Sequence, residues 1–107
     1  MASLSIQERK RLRQIGHTLN PVVMIGGQGL TENVIEETTR ALADHELIKV
    51  KVAGEDREER QAAIKAIAEA TEAEIVQTIG KIVLLYKKAS KQNQKLSNLV
   101  RYASLLK

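Results

Sequence analysis

The residues best suited to binding chemistry in this sequence form a short glycine-rich stretch, Gly26-Gly27-Gln28-Gly29. Because glycine tolerates positive φ and has no Cβ, such a backbone lets an anion such as phosphate approach closely. Thr31 is the expected N-cap of the helix that follows, and the first amides of a helix are free to donate to an anion. These five residues therefore predict a phosphate-binding loop. A four-residue glycine pattern is also typical of an ordinary tight turn between a strand and a helix.

Two known uses of glycine loops fit this stretch. A Gly-x-x-Gly loop between secondary elements is how K-homology modules hold the backbone of a few single-stranded nucleotides. Gly26-Gly27-Gln28 is also the tripeptide of peptide-chain release factors, which would make the chain a peptidyl-tRNA esterase. In those factors the tripeptide lies in an extended loop, whereas here an apolar run and Thr31 hold it tightly between a strand and a helix. The loop lacks the Gly-Lys-Ser/Thr ending of a P-loop, so we expect no nucleotide hydrolysis.

Residue patterns for catalysis and metal binding are weak. The chain has no cysteine, which removes disulfides, thiolate metal sites and thiol nucleophiles together. His17 and His45 lie in different predicted elements, and neither has metal-ligand spacing to another histidine or to an acidic pair. We therefore expect no catalytic residues, no metal site and no cofactor, and we predict that the chain is not an enzyme.

Basic residues are concentrated at the two ends of the chain. Lys and Arg number 17 against 13 Asp and Glu, which gives a net charge of +4 over 107 residues. Residues 1–29 carry four basic side chains and one acidic one, residues 30–80 carry six and twelve, and residues 81–107 carry seven and none. This segregation favours a nucleic-acid surface built from both ends of the chain. A solvated basic tail on an ordinary domain explains the charge equally well.

Apolar periodicity predicts the element order α-β-α-β-α-β-β. The first helix begins with a capping box at Ser5 and runs to about Leu19, and later helices begin near Thr31 and Asp56. The last two strands are separated only by Gly80 and form a tight hairpin. Strands joined through helices should run parallel, so the sheet is mixed. We predict a single α/β domain with two layers, a four-stranded mixed sheet and a basic C-terminal extension.

Two of the strands differ in how they should be covered. The run Val22–Ile25 is wholly apolar, which is typical of a strand buried on both faces. In Leu47–Val52, apolar residues alternate with lysines from Ile48 onward. Lys49 and Lys51 should therefore lie on a wet, basic face of the sheet.

The domain is expected to span residues 1–88 and the extension residues 89–107. After Tyr86 the sequence becomes a polar, basic linker without core residues, which we expect to be flexible. Apolar residues then recur at helical spacing, so a helix from about residue 96 is expected to dock on the domain or to fold on a partner. These apolar residues are Leu96, Leu99, Val100 and Ala103.

The first helix carries a cationic stripe on a different side from its apolar one. Arg9, Arg13 and His17 recur every four residues, beside Lys10. We expect this stripe to stay exposed and to form one continuous surface with the glycine loop. Cations that merely solubilise a helix face would give the same pattern. Two further cations at the start of the tail would add sequence-independent attraction to phosphates, Lys87 and Lys88.

The sequence shows no membrane or export segment. Its longest apolar run, Ile82–Tyr86, is far shorter than a membrane span. The N-terminus has no apolar stretch of signal-peptide length, so we expect a cytoplasmic protein with no membrane partner. The only aromatic residues are Tyr86 and Tyr102, which disfavours recognition of bases by an aromatic platform.

Several short blocks of the chain match one protein family in the same order and on the same elements. They are Leu19-Asn-Pro-Val-Val, Gly26-x-x-Gly-Leu-Thr31, Ala41-Leu42, His45-Glu-Leu-Ile-Lys-Val-Lys51, Asp56-Arg57, Val76-Gln-x-Ile-Gly-Lys81 and Leu85-Tyr-Lys87. From about Leu4 to Lys88 the sequence resembles the YhbY family, which has the CRM (chloroplast RNA splicing and ribosome maturation) fold. The resemblance implies a four-stranded mixed sheet, RNA binding and association with precursors of the large ribosomal subunit. It also implies that the Gly26–Gly29 loop contacts the RNA.

Residue patterns and resemblance together predict a protein that captures RNA phosphates through the loop amides, the helix start at Thr31 and the flanking cations. Its expected partners are ribosomal RNA and precursors of the large subunit, bound with low sequence specificity. The sequence does not determine the oligomeric state, although it favours a monomer. Two alternatives stay open. One is a peptidyl-tRNA esterase acting through Gly26-Gly27-Gln28. The other is a protein-protein adaptor that uses the acidic middle and the amphipathic C-terminal segment.

Overall fold

Four strands pair into one sheet with helices on both faces. The computed structural model describes residues 4–103. The helices are α1 (Ile6–Gly16), α2 (Glu32–His45), α3 (Arg57–Thr71) and α4 (Asn98–Arg101), and the strands are β1 (Pro21–Ile25), β2 (Leu47–Val52), β3 (Glu74–Ile79) and β4 (Ile82–Tyr86). The order of elements through β4 and the four-stranded mixed sheet confirm the single α/β domain predicted from the sequence. The prediction of two layers is wrong, because α1 covers one face of the sheet and α2 and α3 cover the other, which makes three layers.

The strands lie side by side in the order β1-β2-β4-β3, so β1 and β3 form the two edges. β1 pairs parallel with β2, while β4 pairs antiparallel with both β2 and β3. β2 and β3 therefore run parallel to each other on either side of β4, as expected for two strands joined through a helix.

The two faces of the sheet are covered to different extents. On the α2/α3 face, two helices bury the residues that alternate inward along the central strands, such as Val50 and Leu85. On the opposite face, called here the α1 face, Ile15 of α1 packs over Leu47 and Leu84. A helix of eleven residues is about 16 Å long, which is too short to cover this whole face.

α1 ends at Gly16, about three residues earlier than its apolar pattern predicts. The helix backbone lies very close to the sheet at this point, because a Cβ on Gly16 would come within 2.7 Å of Leu84 Cδ2. The amides of Thr18 and Leu19 then donate across only three residues, to the carbonyls of Ile15 and Gly16 (2.9 and 3.1 Å), which closes the last turn. α1 therefore stops over the middle of the sheet.

The prediction that β1 is buried on both faces is wrong. Val23 and Ile25 are buried against the α2/α3 face, but the side chains between them are not, since Val22 is 50% and Met24 is 60% exposed. β1 is an edge strand, and α1 packs instead over β2, β4 and β3. An apolar run shows that a strand has hydrophobic residues, but it does not show how far the covering helix reaches.

The segment after β4 is bound to the domain, which corrects the expectation of a flexible linker. Glu46, a buried residue between α2 and β2, accepts hydrogen bonds from the Ala89 amide (2.9 Å), the Gln92 side-chain amide (2.6 Å) and the Ser97 hydroxyl (2.7 Å). The side-chain amide of Asn98 donates to the carbonyl of Leu47 at 2.6 Å. His45 Nδ1 also lies 2.9 Å from the carbonyl of Leu96, so hydrogen bonds from several residues tie this segment to the α2–β2 junction.

The apolar side of this segment packs on the domain's own core. Leu99 and Tyr102 lie against the cluster beneath α1, whereas Leu96 is 39% exposed. α4 begins at Asn98 rather than at about residue 96, because Ser97 caps it by accepting from the Leu99 amide. The expected extension also includes residues 104–107, which lie outside the described residues.

Glu46 is charged under ordinary conditions despite its burial. Burial by itself raises the pKa of this carboxyl, but the hydrogen bonds from Ala89, Gln92 and Ser97, together with the charge of Lys88, bring the pKa below its usual value. Its backbone has a φ of 62°, in the left-handed region, which is a costly conformation for a residue with a Cβ. The hydrogen bonds to the C-terminal segment offset that strain.

Replacing Glu46 by alanine is expected to lower the free energy of unfolding by about 2 kcal/mol, because the Ser97 hydroxyl and the Ala89 amide lose their acceptor. Glu72→Ala is the matched control. Glu72 has a similar φ of 58°, but it is exposed and has only an ion pair of 4.0 Å with Lys87. Urea denaturation of both variants checks this, and equal losses of stability would contradict the role of the carboxylate.

The contribution of Glu46 to the free energy of unfolding is also expected to depend on pH. A carboxyl whose pKa is lowered by folding stabilises the protein above its unfolded pKa, and this stabilisation is lost as the pH falls through the folded value. The stability difference between the wild type and Glu46→Ala should be full at neutral pH and should shrink once the pH falls below the ordinary value of 4.5. Urea titrations at a series of pH values measure it. A difference that grows on acidification would contradict the assignment.

Candidate nucleic-acid interface

The glycine loop lies at the end of β1, on the surface of the molecule. Gly26, Gly27 and Gln28 are exposed, and the Gly29 amide closes the turn by donating to the Gly26 carbonyl at 2.9 Å. Within the part of the chain that the structure describes, the amides of Gly27 and Gln28 donate to no acceptor. The loop therefore presents two unpaired backbone donors to solvent, which is the arrangement that an anion requires.

Space around the loop is open. A Cβ built on Gly26, Gly27 or Gly29 meets no atom within 4 Å. Glycine is therefore not needed here for packing, and only Gly29 needs it for backbone conformation, because its φ is +76°. The absence of side chains leaves the backbone accessible to a ligand.

Thr31 is the N-cap of α2, as predicted from the sequence. Its hydroxyl oxygen accepts from the Val34 amide at 3.2 Å, which satisfies one of the free amides of the first helical turn. Glu32 follows in that first turn and carries a negative charge near the helix start. Since this charge repels an anion, the loop amides are better placed than the helix start to receive one.

Arg9 is held away from the loop by β3. Its guanidinium donates to the carbonyl of Ile75 at 2.7 Å and lies 3.9 Å from the carboxylate of Glu74. β3 is the edge opposite β1, three strand spacings or about 14 Å away, and Glu74 lies at the other end of the sheet from the loop. Arg9 and Gly26 therefore do not lie on one compact surface.

The rest of the cationic stripe extends from Arg9 toward the centre of the α1 face. Lys10 is exposed and Arg13 is half-buried along α1, and His17 is exposed at its end. His17 lines a shallow pocket with Lys49 and the end of β3. Only the His17 end of the stripe approaches the uncovered half of the sheet.

The cation nearest the loop in the sheet register is Lys51, which sequence reasoning did not include among the site residues. Lys51 pairs with Met24, two residues before Gly26. It is exposed, and Lys49 is half-buried on the same face, as the alternation of β2 predicts. The signal was present in the alternating lysines of β2, but only the pairing of β1 with β2 places them beside the loop.

Lys87 and Lys88 lie at the opposite end of the sheet from the loop. They follow Tyr86, which pairs with Leu47 at the start of β2. The amide of Lys87 donates to the Glu46 carbonyl at 2.9 Å, so its backbone is fixed, while Lys88 is exposed. These cations form a second basic area, separate from the loop.

Residues 4–103 contain no group of three or more His, Cys, Asp and Glu side chains positioned to hold a metal ion. Within the same residues, no helix is both long enough and apolar enough to span a membrane.

Comparison with protein families gives a match over most of the chain. The family model of the CRS1/YhbY (CRM) domain matches residues 4–87. The chain belongs to the CRS1/YhbY (CRM) domain family. The match includes all four strands of the CRM domain and the loop after β1. It ends at Lys87, the first residue after β4.

Two bacterial relatives resemble this CRM domain protein over most of their length. A probable RNA-binding protein of Pseudomonas aeruginosa is 43% identical over 103 residues, which is 96% of this chain and 99% of the relative. An RNA-binding protein of Haemophilus influenzae is 55% identical over 87 residues, which is 81% of this chain and 88% of the relative.

A solved structure has the same CRM fold. The solution structure of a Staphylococcus aureus protein, proposed to bind RNA, matches this chain with a TM-score of 0.73 at 32% identity. The match covers 89% of this chain and 98% of that protein.

Gly29→Ala is expected to destabilise the CRM domain by about 1 kcal/mol, because alanine at a φ of +76° is strained although the space around it is open. Gly27→Ala is the control, since this glycine has equally open surroundings and no positive φ, and its effect should stay within about 0.5 kcal/mol. Urea denaturation compares the two. An equal effect of both alanines would show that the conformation of Gly29 is not specially required.

Proposed function

We propose that this protein binds RNA, and that the Gly26–Gly29 loop is where it captures the phosphate backbone. The observation that carries the proposal is the pair of unpaired amides, at Gly27 and Gln28, on an open loop with Lys51 near it in the sheet register. The names of the relatives from Pseudomonas aeruginosa and Haemophilus influenzae support the same ligand.

The distribution of charge supports a polyanionic partner on the α1 face. The outer surfaces of α2 and α3 carry exposed acids, including Glu36, Glu37, Glu58 and Glu59. These helices lie on the other side of the sheet from Lys51. α3 is balanced, with three acidic and three basic side chains, but α2 carries four acids against one arginine. The negative charge of α2 therefore disfavours RNA on the α2/α3 face, and the lysines of β2 favour it on the α1 face.

In the proposed mechanism the backbone amides fix the position of the RNA and the cations add attraction. The Gly27 and Gln28 amides donate to phosphate oxygens, and Lys51 neutralises a neighbouring phosphate. His17 and Arg13 extend the contact along α1. Phosphate contacts carry no base identity, so this part of the interaction has low sequence specificity and weakens as salt rises.

The cations farther from the loop also contribute to the proposed binding of RNA. Lys10 and Lys88 are exposed, and together with Lys87, whose ammonium lies 4.0 Å from Glu72, they supply long-range attraction to phosphates. Arg9 is a structural residue first, since its guanidinium is bound to β3, and it contributes to RNA binding through the positive charge of α1.

We further propose that the RNA is ribosomal and that the protein acts in the cytoplasm on precursors of the large ribosomal subunit. This assignment rests on the family to which the chain belongs. Crosslinking in living cells, followed by sequencing of the bound RNA, tests it. Enrichment of large-subunit ribosomal RNA is expected, and crosslinks scattered over messenger RNAs without that enrichment would contradict it.

The proposed protein binds RNA and catalyses no reaction. The two alternatives, an adaptor and an esterase, have less support. An adaptor that uses the C-terminal segment would need its apolar side free, yet Leu99 and Tyr102 pack on the domain itself. An esterase that uses Gln28 would hydrolyse peptidyl-tRNA. Such hydrolysis by the purified protein would contradict the proposal.

Gly26→Asp is expected to lower RNA affinity at least about tenfold, or about 1.4 kcal/mol, because it places a negative charge where a phosphate approaches. Gly26 is exposed, has no positive φ and has open space around it, so the fold should tolerate the change. Gly26→Asn is the matched control, with the same shape and no charge, and should bind within about threefold of the wild type. Fluorescence anisotropy with single-stranded RNA measures both.

Wild-type affinity in a folded Gly26→Asp protein would show that the loop lies outside the RNA site. An equal loss in both variants would show that the bulk of the side chain, and not its charge, is responsible.

A further inference from the structure

A single row of side chains crosses all four strands on the uncovered half of the α1 face. Met24 of β1 pairs with Lys51 of β2, Lys51 pairs with Ile82 of β4, and Ile82 pairs with Ile79 of β3. Paired residues lie on the same face of a sheet, so all four side chains lie on the same side. Three strand spacings separate the two ends, which makes the row about 14 Å long.

Three of the four residues of this row are exposed and Ile82 is half-buried, although most of the row is apolar. Met24 is 60% and Ile79 is 59% exposed, and together with Val22 they are three of the five large apolar residues exposed in the described chain. α1 would have to extend beyond Gly16 to cover them, and it ends there. The row is therefore an unpartnered part of the sheet.

We propose that this row binds the unpaired bases of a single-stranded RNA whose backbone is held by the glycine loop. The inference rests on the proposed RNA-binding function and adds the form of RNA that is recognised. The row, defined as Met24, Lys51, Ile82 and Ile79, is called the base row.

Continuity with the loop is the first argument for RNA as the occupant. Met24 is two residues before Gly26, and its partner Lys51 therefore lies between the loop and the rest of the base row. A strand whose phosphate is held at Gly27 then passes over the sheet with Lys51 available for its next phosphates.

The chemistry of the row is the second argument. It consists of one cation among three aliphatic side chains, and the remaining lysine of β2, Lys49, lies on the same face. The only acidic strand residue on this face is Glu74, which lies at the far end and is paired with Arg9. Aliphatic side chains receive the flat faces of bases, while the lysines receive phosphates, so the surface complements a nucleic acid in both respects.

We infer that the bound RNA is single-stranded because the base row can contact a base only when the flat face of that base is accessible. In an RNA duplex the bases are stacked and paired, and only their edges and the backbone are exposed. A sheet surface of isolated aliphatic side chains contacts a base only when that base is unstacked. No aromatic residue is needed, and the two tyrosines do not supply one here, because Tyr86 and Tyr102 pack in the core beneath α1.

The pocket beside the base row offers polar groups for base edges. It is lined by Gly16 and His17 at the end of α1, by Lys49 of β2 and by Gln77 and Ile79 of β3. His17 and Gln77 are each able to donate and to accept a hydrogen bond. A base lying on Ile79 therefore has hydrogen-bonding side chains along its edge.

The test uses the full-length protein and two RNA probes of about ten nucleotides, one of oligoadenylate and one abasic strand with the same backbone. The double variant Met24→Ser, Ile79→Ser removes apolar surface from the base row without changing charge. Ile6→Ser is the matched control, because Ile6 is an isoleucine that is 84% exposed on α1. Fluorescence anisotropy measures the dissociation constants, and urea denaturation confirms that both variants are folded.

The wild type is expected to bind oligoadenylate about tenfold more tightly than the abasic strand. The double variant should lose most of that preference by weakening only for oligoadenylate, with an unchanged dependence of affinity on salt, whereas Ile6→Ser should behave as the wild type. A double variant that keeps the preference, or an equal loss in Ile6→Ser, overturns the base row while leaving the loop proposal intact. A wild type that binds neither strand overturns the proposed function itself.

A spectroscopic measurement checks the same contact without substitutions. The chain has two methionines, Met1 and Met24, so methyl labelling of methionine gives two signals. The Met24 methyl signal should shift on addition of oligoadenylate and much less on addition of the abasic strand, with Met1 as internal reference. A Met24 signal that oligoadenylate leaves unchanged, or that responds to an acidic protein instead, overturns the inference.

Discussion

One short helix has to cover one face of a four-stranded sheet, and its length sets the surface that this protein presents. α1 has eleven residues and ends at Gly16, where its backbone lies so close to the sheet that a Cβ would come within 2.7 Å of Leu84 Cδ2 and would force that side chain to move. The sheet extends beyond that point, so its outer half on this face is left in contact with solvent. The glycine loop opens at the edge of this uncovered area, which explains why the loop, Lys51 and Met24 are accessible together.

The other end of the same face is closed by the C-terminal segment. Glu46 holds this segment by three hydrogen bonds, and Leu99 and Tyr102 complete the core beneath α1. The segment follows the last strand of the family domain but is packed as part of the same unit. One end of the α1 face is therefore covered, while the end near the loop is open. The acids of α2 and α3 lie on the opposite side of the sheet. These features leave one region of the α1 face open, and the proposed RNA site lies there.

Local patterns were enough to predict the elements, but not the contacts between distant parts of the chain. The capping box of Ser5 and Glu8, the N-cap at Thr31 and the alternation of β2 all depend on neighbouring residues, and each is present in the structure. The same reasoning failed where a partner lies far away in sequence. It expected an exposed Arg9, which instead reaches carbonyls of β3, and it did not anticipate that Glu46 holds the tail.

The candidate site was predictable to a similar degree. The glycine pattern predicted the loop, because glycines are the residues that leave a backbone open to a ligand. The cations were assigned by proximity in sequence, which favoured the first helix. The sheet register adds Lys51 to them, a residue that is 25 positions from Gly26 in the chain but pairs with Met24, two positions before that glycine. Strand pairing is a long-range property, so a single sequence did not reveal it.

The most direct test of this account is a titration of the isotopically labelled protein with a short single-stranded RNA, followed through its backbone amide signals. The account predicts the largest shifts at Gly27, Gln28 and Lys51, with little change at Lys65 on α3. Shifts concentrated on α3 or on the segment after Tyr86, with the loop amides unchanged, would contradict it.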